Sequence, residues 1–262
     1  MGICWLKNSI KLDNNFEKRS EPVLIKGFLR DCGIPKKINF ELIKKKYGSK
    51  KVKVAYSKNG IYKLNPNSGE LSSEVLNMRL GKFLNKINEE DNGVYYLQQA
   101  LLEQLFPMIF HELELDSVIS LPSYYPPTIW IGQKGTIVQL HFDWPNNFYF
   151  QVEGQKRFIL YSPEQTKYLY PNTNKTKISH VSQVDIHNPD LKKFPKFARA
   201  ESITFDLDGG DVLYIPPFWW HQVQGGSRNI SISVCWPIKL VQIPPSIPTW
   251  LQKACGCLEE FS

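Results

Sequence analysis

The chain has 262 residues, of which 42% are hydrophobic and 22% charged, and this composition supplies one sizeable core and excludes disorder over most of the length. The 32 lysines and arginines exceed the 25 acidic residues and give a net charge of +7, which is modest for a dedicated nucleic-acid-binding protein. Five scattered cysteines favour a reducing compartment over a disulfide scaffold. Without a secretory signal or an apolar window of about 18 residues, we expect a cytoplasmic protein, or a nuclear one in a eukaryote, with no membrane partner.

Residues 1–93 are rich in lysine and are predicted to form an α/β portion that packs on the rest of the chain. PVLIKGFL at 22–29 predicts a short strand, and the apolar spacing of INFELIKKKYG at 38–48 predicts an amphipathic helix that ends at a glycine. Eight lysines lie between Lys36 and Lys53. They form either a solvated face that serves solubility or a surface for RNA or an acidic protein.

Residues 94–236 have the pattern of a β-rich domain. VYYL at 94–97 predicts a strand, and residues 98–115 predict a helix that Pro107 kinks or splits. Short apolar runs separated by Gly, Pro and Asn follow, and isoleucine alternates with serine in NISISVCW, as in a strand with one apolar and one polar face. Several such strands predict a β-sandwich or jelly roll whose mouth can hold a ligand.

The tail, residues 237–262, predicts one short helix over 249–259. A tail of this length leaves little chain for a dimerisation module. The expected assembly is a monomer or a homodimer.

Two histidines and one aspartate form a candidate metal site. His141 and Asp143 are two residues apart on a predicted strand, so both side chains project from one face, and His221 follows another strand-like run. Two imidazoles and one carboxylate on one face of a metal, with open positions left, are typical of non-haem Fe(II) oxygenases. Alternatively, the histidines are structural and Asp143 caps the turn before Pro145. The remaining histidines are expected to be structural or exposed: His111, His180 and His187.

Lys156 is the candidate partner of a co-substrate. It opens the predicted strand KRFILY after a Glu-Gly turn. A 2-oxoacid that chelates iron through its keto end needs a counter-ion for its far carboxylate, and a partly desolvated lysine provides one. The alternative is an ordinary surface lysine beside Arg157.

Several motifs carry a family resemblance, in matching order and spacing. They are VYYLQQ, LHFDWPNNFYFQVEGQKRFILY, GDVLYIPPFWWHQV and NISISVCW, and together they span roughly residues 94 to 236. This region resembles the JmjC family of Fe(II)- and 2-oxoglutarate-dependent oxygenases. It is most similar to the branch that contains the asparaginyl hydroxylase called factor inhibiting HIF, with the tRNA wybutosine hydroxylase close by. The resemblance implies a mainly β, double-stranded β-helix (jelly-roll, cupin-like) core with flanking α-helices.

The resemblance also implies roles for individual residues. His141, Asp143 and His221 match the family's iron ligands, and Lys156 matches the lysine that binds the distal carboxylate of 2-oxoglutarate. Further matches are Tyr96 and Asn147 at the co-substrate, Tyr149 as a pocket-lining residue and Gln98 at the substrate backbone. The chain departs from the asparaginyl hydroxylase at three places, which are Val138, Cys235 and the pair His180-Val181.

The function that these features imply is hydroxylation of a side chain in a protein substrate, with Fe(II), 2-oxoglutarate and O2 as cofactor and co-substrates and with release of succinate and CO2. One alternative is hydroxylation of a modified base in RNA, such as a tRNA, bound through the lysines between Lys36 and Lys53. Another is a catalytically silent, cupin-like binding module.

Overall fold

The computed structural model describes residues 12–89, 93–173 and 176–254. The strands are β1 Leu12–Asp13, β2 Val23–Ile25, β3 Lys51–Ser57, β4 Ile61–Tyr62, β5 Glu74–Arg79, β6 Val94–Leu101, β7 Ile119–Ser120, β8 Thr128–Gly132, β9 Ile137–Phe142, β10 Asn146–Glu153, β11 Gln155–Tyr161, β12 Ile203–Asp208, β13 Asp211–Ile215, β14 Trp220–Gly225 and β15 Asn229–Trp236. The helices are α1 Phe28–Asp31, α2 Ile34–Lys37, α3 Phe40–Tyr47, α4 Leu80–Lys86, α5 Leu102–Leu105, α6 Pro107–Leu113, α7 Leu115–Val118 and α8 Thr249–Ala254.

Most strands belong to two sheets. The eight-stranded major sheet has the order β2-β13-β10-β15-β8-β6-β3-β5, and the five-stranded minor sheet has the order β12-β11-β14-β9-β4. Pairing within them is antiparallel, except that β4 runs parallel to β9. From β8 to β15 the chain crosses between the sheets at every step but the one from β11 to β12. This winding is that of a double-stranded β-helix, so the predicted fold is confirmed.

Residues before β6 extend both sheets. β2 pairs with β13 at one edge of the major sheet, whereas β3 and β5 continue the sheet beyond β6 at the other edge. β4 completes the minor sheet beside β9. The N-terminal segment is therefore continuous with the barrel, through strand pairing as well as through packing.

Helix α3 illustrates how helices cover the major sheet. The side chain of Asn39 accepts the N–H of Leu42 at 3.0 Å and caps the first turn, and the helix ends at Gly48 as predicted. Phe40 and Ile43 lie one turn apart on the same face, and both are buried. They join one apolar cluster with residues of β10 and β15, which fixes α3 against the outer face of the sheet.

Strand β10 separates this outer core from the space between the sheets. Phe148 and Phe150 belong to the outer cluster. Because alternate residues of a strand face opposite sides, Asn147 and Tyr149 point inward. Tyr149 packs there with Phe158 of the minor sheet. The polar residues of β10 are thus delivered to the interior between the sheets, where a ligand can reach them.

The prediction of a helix from residue 98 is wrong. Strand β6 runs to Leu101, and α5 begins only at Leu102. The residues in question pair with β8, with Leu101 opposite Thr128, so sheet pairing overrides the local helix preference of Gln and Leu. The predicted break at Pro107 is confirmed, since this proline is the first residue of α6. The predicted C-terminal helix is present as α8, and its end beyond residue 254 lies outside the described residues.

The lysines between Lys36 and Lys53 lie mainly in α2, α3 and β3. Four of them contact groups of the chain itself: Lys37 with Glu114 at 2.8 Å, Lys46 with Glu112 at 2.7 Å, Lys44 with Asn85 at 2.8 Å and Lys50 with the carbonyl of Gln104 at 2.6 Å. Helices α2 and α3 pack on the outer face of the major sheet. No helix in the described ranges is long and apolar enough to cross a membrane.

Candidate metal centre

The three predicted metal ligands meet between the sheets. His141 of β9 lies directly opposite His221 of β14 in the antiparallel register, with ring centroids 4.3 Å apart, and Asp143 follows the end of β9. The Nε2 atom of His221 is 3.7 Å from Oδ2 of Asp143. One ligand atom from each residue lies within 4.8 Å of the other two. Strand pairing thus brings together a donor set that fits a single divalent ion.

Backbone carbonyls fix the tautomers of both histidines. The Nδ1 atom of His141 is 2.8 Å from the carbonyl oxygen of Gln139, and Nδ1 of His221 is 2.9 Å from that of Trp219. A carbonyl oxygen only accepts, so in each neutral ring Nδ1 carries the proton. Both Nε2 atoms then keep a free lone pair for a metal. A hydrogen bond from the other ring nitrogen to a carbonyl oxygen is a usual second contact of a metal-binding histidine.

The electrostatics of the cluster also suit a cation. Burial, together with the charge of the neighbouring His141, lowers the pKa of His221 to about 4, so this imidazole is neutral at pH 7. Burial raises the pKa of Asp143, but His141 and His221 more than offset this effect and hold the pKa below its ordinary value. An ionised carboxylate beside a neutral imidazole is the protonation state that metal binding requires.

The metal ligands line a pocket of about 330 Å³. Polar side chains from the major sheet face them, including Asn147 and Tyr149 of β10 and Ser233 of β15. An apolar wall of Phe158 and Val223 lies on the minor sheet. The pocket therefore combines a metal site with a partly apolar cavity that can shield a small ligand from water.

Lys156 lies one layer behind the pocket wall. Its side chain is 2% exposed, and its ammonium donates to the hydroxyl of Tyr96 at 3.1 Å and to that of Tyr149 at 2.5 Å. Both tyrosines line the pocket. In the part of the chain that the structure describes, no carboxylate pairs with Lys156, and burial lowers its pKa to about 7. The structure contradicts the alternative of an ordinary surface lysine.

Two glycines make this placement possible. Gly154, with φ of +73°, forms the turn from β10 to β11, and a Cβ there would collide with the carbonyl of Arg228. This turn starts β11 in the register that points Lys156 inward. At Gly132, opposite Tyr96 in the sheet, a Cβ would lie 3.0 Å from two ring carbons of the tyrosine, so glycine lets the ring lie flat against β8.

Two buried polar atoms in the pocket have no hydrogen-bond partner among the described residues. They are Nε1 of Trp130 and Oδ1 of Asn147. Unpaired buried polar atoms are unfavourable, and at a pocket wall they indicate a missing ligand. The indole N–H can only donate, and the amide can present its oxygen or its NH2 group. Together with the ammonium of Lys156, these groups fit a small anion with carboxylate oxygens.

A β-bulge shapes the opposite wall. Between Leu97 and Ala100, β6 has one residue more than its partner β8, and Gln99 adopts a left-handed conformation with φ of +48°. As a result, both Gln98 and Gln99 line the pocket. Gln98 was predicted to contact the substrate. Gln99 was not predicted to lie here, because strict alternation along the strand would turn its side chain to the other face. A bulge in β6 leaves no local sequence signal here.

His180 corrects a further expectation. It was expected to be structural or exposed, yet it lines the pocket, where burial and the charge of His141 lower its pKa to about 4. Its carbonyl accepts the N–H of Phe142, and the next residue, Val181, bridges to His141. The approach of a distant loop to β9 brings His180 to the site, and no spacing in the sequence indicates this.

Val138 and Cys235, two positions at which the chain departs from the asparaginyl hydroxylase, both lie near the metal pocket. Val138 lines the pocket. Cys235 stands opposite Asn147 in the sheet, and burial, with the charge of Asp143 as a smaller contribution, raises the pKa of its thiol. The thiol is therefore protonated at neutral pH, which makes it a weak metal ligand.

Fold and donor set together define a cupin-type metal protein, with two histidines and one carboxylate on a double-stranded β-helix. The chain belongs to the cupin-like domain family, whose sequence profile matches residues 9–239. Its relatives include a JmjC domain-containing protein, and His141, Asp143 and His221 of this chain form a donor set that can hold one metal ion.

Three relatives represent this similarity. The tRNA wybutosine-synthesizing protein 5 of Gallus gallus is 29% identical over 240 residues, which is 83% of this chain and 71% of that protein. Lysine-specific demethylase 8 of Danio rerio is 40% identical over 151 residues, or 56% of this chain and 37% of that protein. JmjC domain-containing protein D of Dictyostelium discoideum is 33% identical over 169 residues, or 57% and 36%. The chain thus matches less than two fifths of the length of the last two.

Proposed function

We propose that the protein is an Fe(II)- and 2-oxoglutarate-dependent dioxygenase that hydroxylates a side chain of a protein substrate and releases succinate and CO2. The observation that carries this proposal is the buried ammonium of Lys156, which has no carboxylate partner in the described part of the chain and contacts two tyrosines that line the same pocket as the metal triad. Burying an uncompensated charge costs several kcal/mol, so its natural explanation is an anionic ligand. The distal carboxylate of 2-oxoglutarate meets this requirement.

The residues of the chain then have separate tasks. His141, Asp143 and His221 would hold Fe(II), which when bound supplies the dioxygen and one-electron chemistry that no side chain provides. Lys156 would neutralise the distal carboxylate of the co-substrate, and the hydroxyls of Tyr96 and Tyr149 keep its ammonium in position. The unpaired polar groups of Trp130 and Asn147 would orient the carboxylate oxygens, and Phe158 and Val223 exclude water from this end of the pocket.

A protein substrate is supported by the carboxamides of Gln98 and Gln99. Both line the pocket, and neither has a hydrogen-bond partner among the described residues. A carboxamide carries both a donor and an acceptor and so complements the backbone of a bound polypeptide. This preference agrees with the similarity of the motifs to the asparaginyl hydroxylase branch.

Hydroxylation of a modified RNA base is the second candidate. It is favoured by one relative, the tRNA wybutosine-synthesizing protein 5, which matches 83% of this chain. The lysines between Lys36 and Lys53 would then bind phosphates. Neutralising the four whose side chains have no polar contact within the described residues should reduce the salt dependence of RNA affinity if this candidate is correct; they are Lys36, Lys45, Lys51 and Lys53.

The test is succinate formation from 2-oxoglutarate by the purified protein, with and without Fe(II). We expect turnover that requires Fe(II) and is abolished in His141→Ala. Mass spectrometry of cell-extract proteins and of total tRNA, each treated with and without 2-oxoglutarate, should then find the mass of one added oxygen atom on a protein. Iron-independent succinate formation, or full activity of His141→Ala, would refute the oxygenase proposal, and an added oxygen on tRNA alone would select the second candidate.

A further inference from the structure

A second pocket, of about 500 Å³, adjoins the metal pocket. Leu64 and Gln139 line both cavities, so the two are adjacent. The second pocket opens beside the edge of β9, at the point where the segment that pairs with this strand changes. β4 pairs with Ile137 and Val138, whereas Val181 bridges to His141. A ligand seated here would extend directly towards the metal triad.

The wall of the second pocket is polar and positively charged. Lys63 and Lys193 line it, and within the described ranges neither ammonium has an ion-pair partner. His187 also lines it, with Nε2 held 2.6 Å from Oε1 of Gln222, which is 4% exposed. The acidic residue in the lining, Asp185, accepts the backbone N–H of His187 at 3.1 Å. Hydrogen-bonded polar groups thus line the same pocket as Lys63 and Lys193, and the ammonium of Lys193 lies 5.1 Å from the ring centroid of Phe194.

The loop that borders both pockets adds to this charge. Residues 176–199 carry five basic and two acidic side chains, and His180, Val181 and Lys193 come from this loop. The lysines on α2 and α3 cannot serve the same purpose, because they lie on the outer face of the major sheet. The charge next to the metal pocket therefore selects for an anionic ligand.

The lining also indicates which kind of anion fits. Among the described residues that line the second pocket there is no Phe, Tyr or Trp, and the lining is rich in aliphatic and carboxamide side chains. Recognition of single-stranded nucleic acid depends largely on stacking of bases against aromatic rings. The one aromatic ring among the described residues of this lining, the imidazole of His187, is held by Gln222 at 2.6 Å and Gln224 at 2.8 Å. The carboxamides and lysines around it suit a polypeptide with carboxylate side chains.

We propose that the second pocket binds an acidic segment of the polypeptide substrate while the neighbouring target side chain reaches the metal pocket. The proposal rests on the function proposed above and specifies its substrate class. Lys63 and Lys193 pair with carboxylates of the segment, and its backbone passes Gln139, between β4 and residues 180–182, towards the metal pocket.

The experiment measures fluorescence anisotropy of three labelled probes, octaglutamate, octaglutamine and octauridylate, with the full chain loaded with Mn(II) and the inert analogue N-oxalylglycine. We expect octaglutamate to bind more tightly than octaglutamine and to lose about tenfold in affinity in the double variant Lys63→Gln/Lys193→Gln. The matched control Lys36→Gln/Lys45→Gln removes the same charge from the outer face and should leave the affinity unchanged. Ser72→Trp, which fills the second pocket without a change of charge, should weaken octaglutamate binding as well.

Equal loss in the two double variants, no loss in Lys63→Gln/Lys193→Gln, or a loss confined to octauridylate would overturn the proposal. Succinate formation from 2-oxoglutarate is measured separately on the same variants loaded with Fe(II) and free of N-oxalylglycine, because the second pocket holds no co-substrate. Normal succinate formation without lysine-dependent binding refutes only the proposal that the second pocket binds an acidic segment. Lysine-dependent binding without succinate formation refutes only the proposed oxygenase function.

Discussion

Replacing Lys156 with methionine tests whether this lysine binds the co-substrate or only stabilises the fold. The substitution removes the charge of a residue that is only 2% exposed and keeps a side chain of similar length. Burial holds the pKa of Lys156 at about 7 instead of the ordinary 10.5, so the charged form is costly in the folded state. Between these two values the unfolded chain binds more protons, and stability therefore rises with pH in that window. We expect Lys156→Met to raise the free energy of unfolding by about 1–4 kcal/mol at neutral pH.

The same substitution should weaken the binding of 2-oxoglutarate. Removing one partner of a buried, hydrogen-bonded ion pair costs about 2–5 kcal/mol, which corresponds to a rise in Kd from about thirtyfold to several thousandfold. The pH dependence follows from the pKa of the free lysine. Below pH 7 the ammonium is already charged, whereas above pH 7 ligand binding must draw in a proton. The affinity of the wild-type protein should fall by up to about tenfold per pH unit above 7, and that of Lys156→Met should not.

Anaerobic isothermal titration with Mn(II) at pH 8, in buffers of different ionisation enthalpy, measures both the affinity and the proton uptake. Thermal unfolding gives the stability. Arg157→Met is the matched control, because Arg157 pairs with Asp206 at 2.7 Å on the surface and should contribute little to stability and nothing to ligand affinity. If Lys156→Met is strongly destabilised and binds 2-oxoglutarate normally, the lysine is structural and the reasoning is refuted.

Four further substitutions test three separate parts of the site. Trp130→Phe removes an N–H that has no partner among the described residues. The affinity for 2-oxoglutarate should therefore fall about fivefold in titrations, and the melting temperature should stay unchanged. A loss of stability would show that the N–H has a partner within the protein. Gly154→Ala should lower the free energy of unfolding by about 2–4 kcal/mol in urea melts, because the new methyl group collides with Arg228, and wild-type stability would contradict that contact. Asp143→Asn and His221→Ala should each weaken Mn(II) binding more than about 100-fold by metal analysis, and retained metal would exclude them as ligands.

Much of the barrel could be predicted because its signals are local. Gly, Pro and Asn mark the ends of short apolar runs, and the alternation of residues in β15 follows from the two faces of one strand. The spacing of His141 and Asp143 predicts a shared face for the same reason. The failure at residue 98 has the opposite cause, since pairing of β6 with β8 decides the structure there, whereas the sequence from residue 98 onwards favours a helix.

The residues that sequence reasoning missed depend on contacts between distant segments. His180 reaches the pocket because Val181 bridges to His141 across a long connection. Gln99 turns inward at a bulge with a left-handed backbone, which local sequence does not predict for glutamine. Trp130 differs from these two. In TIWIG it alternates with Ile129 and Ile131, which belong to the outer core, so the alternation already indicates an inward side chain.

The net charge of +7 says little about function until it is divided between the two faces of the molecule. On the outer face, three of the five lysines of α2 and α3 contact groups of the chain itself, and the major sheet separates these helices from the metal ligands. The cations at the second pocket, Lys63 and Lys193, adjoin the metal pocket. Coulomb attraction is screened over about 8–10 Å in physiological salt, so only the charges next to the pocket can orient a bound substrate there. The lysines of α2 and α3 are therefore poorly placed to choose a substrate, and Lys63 and Lys193 are well placed.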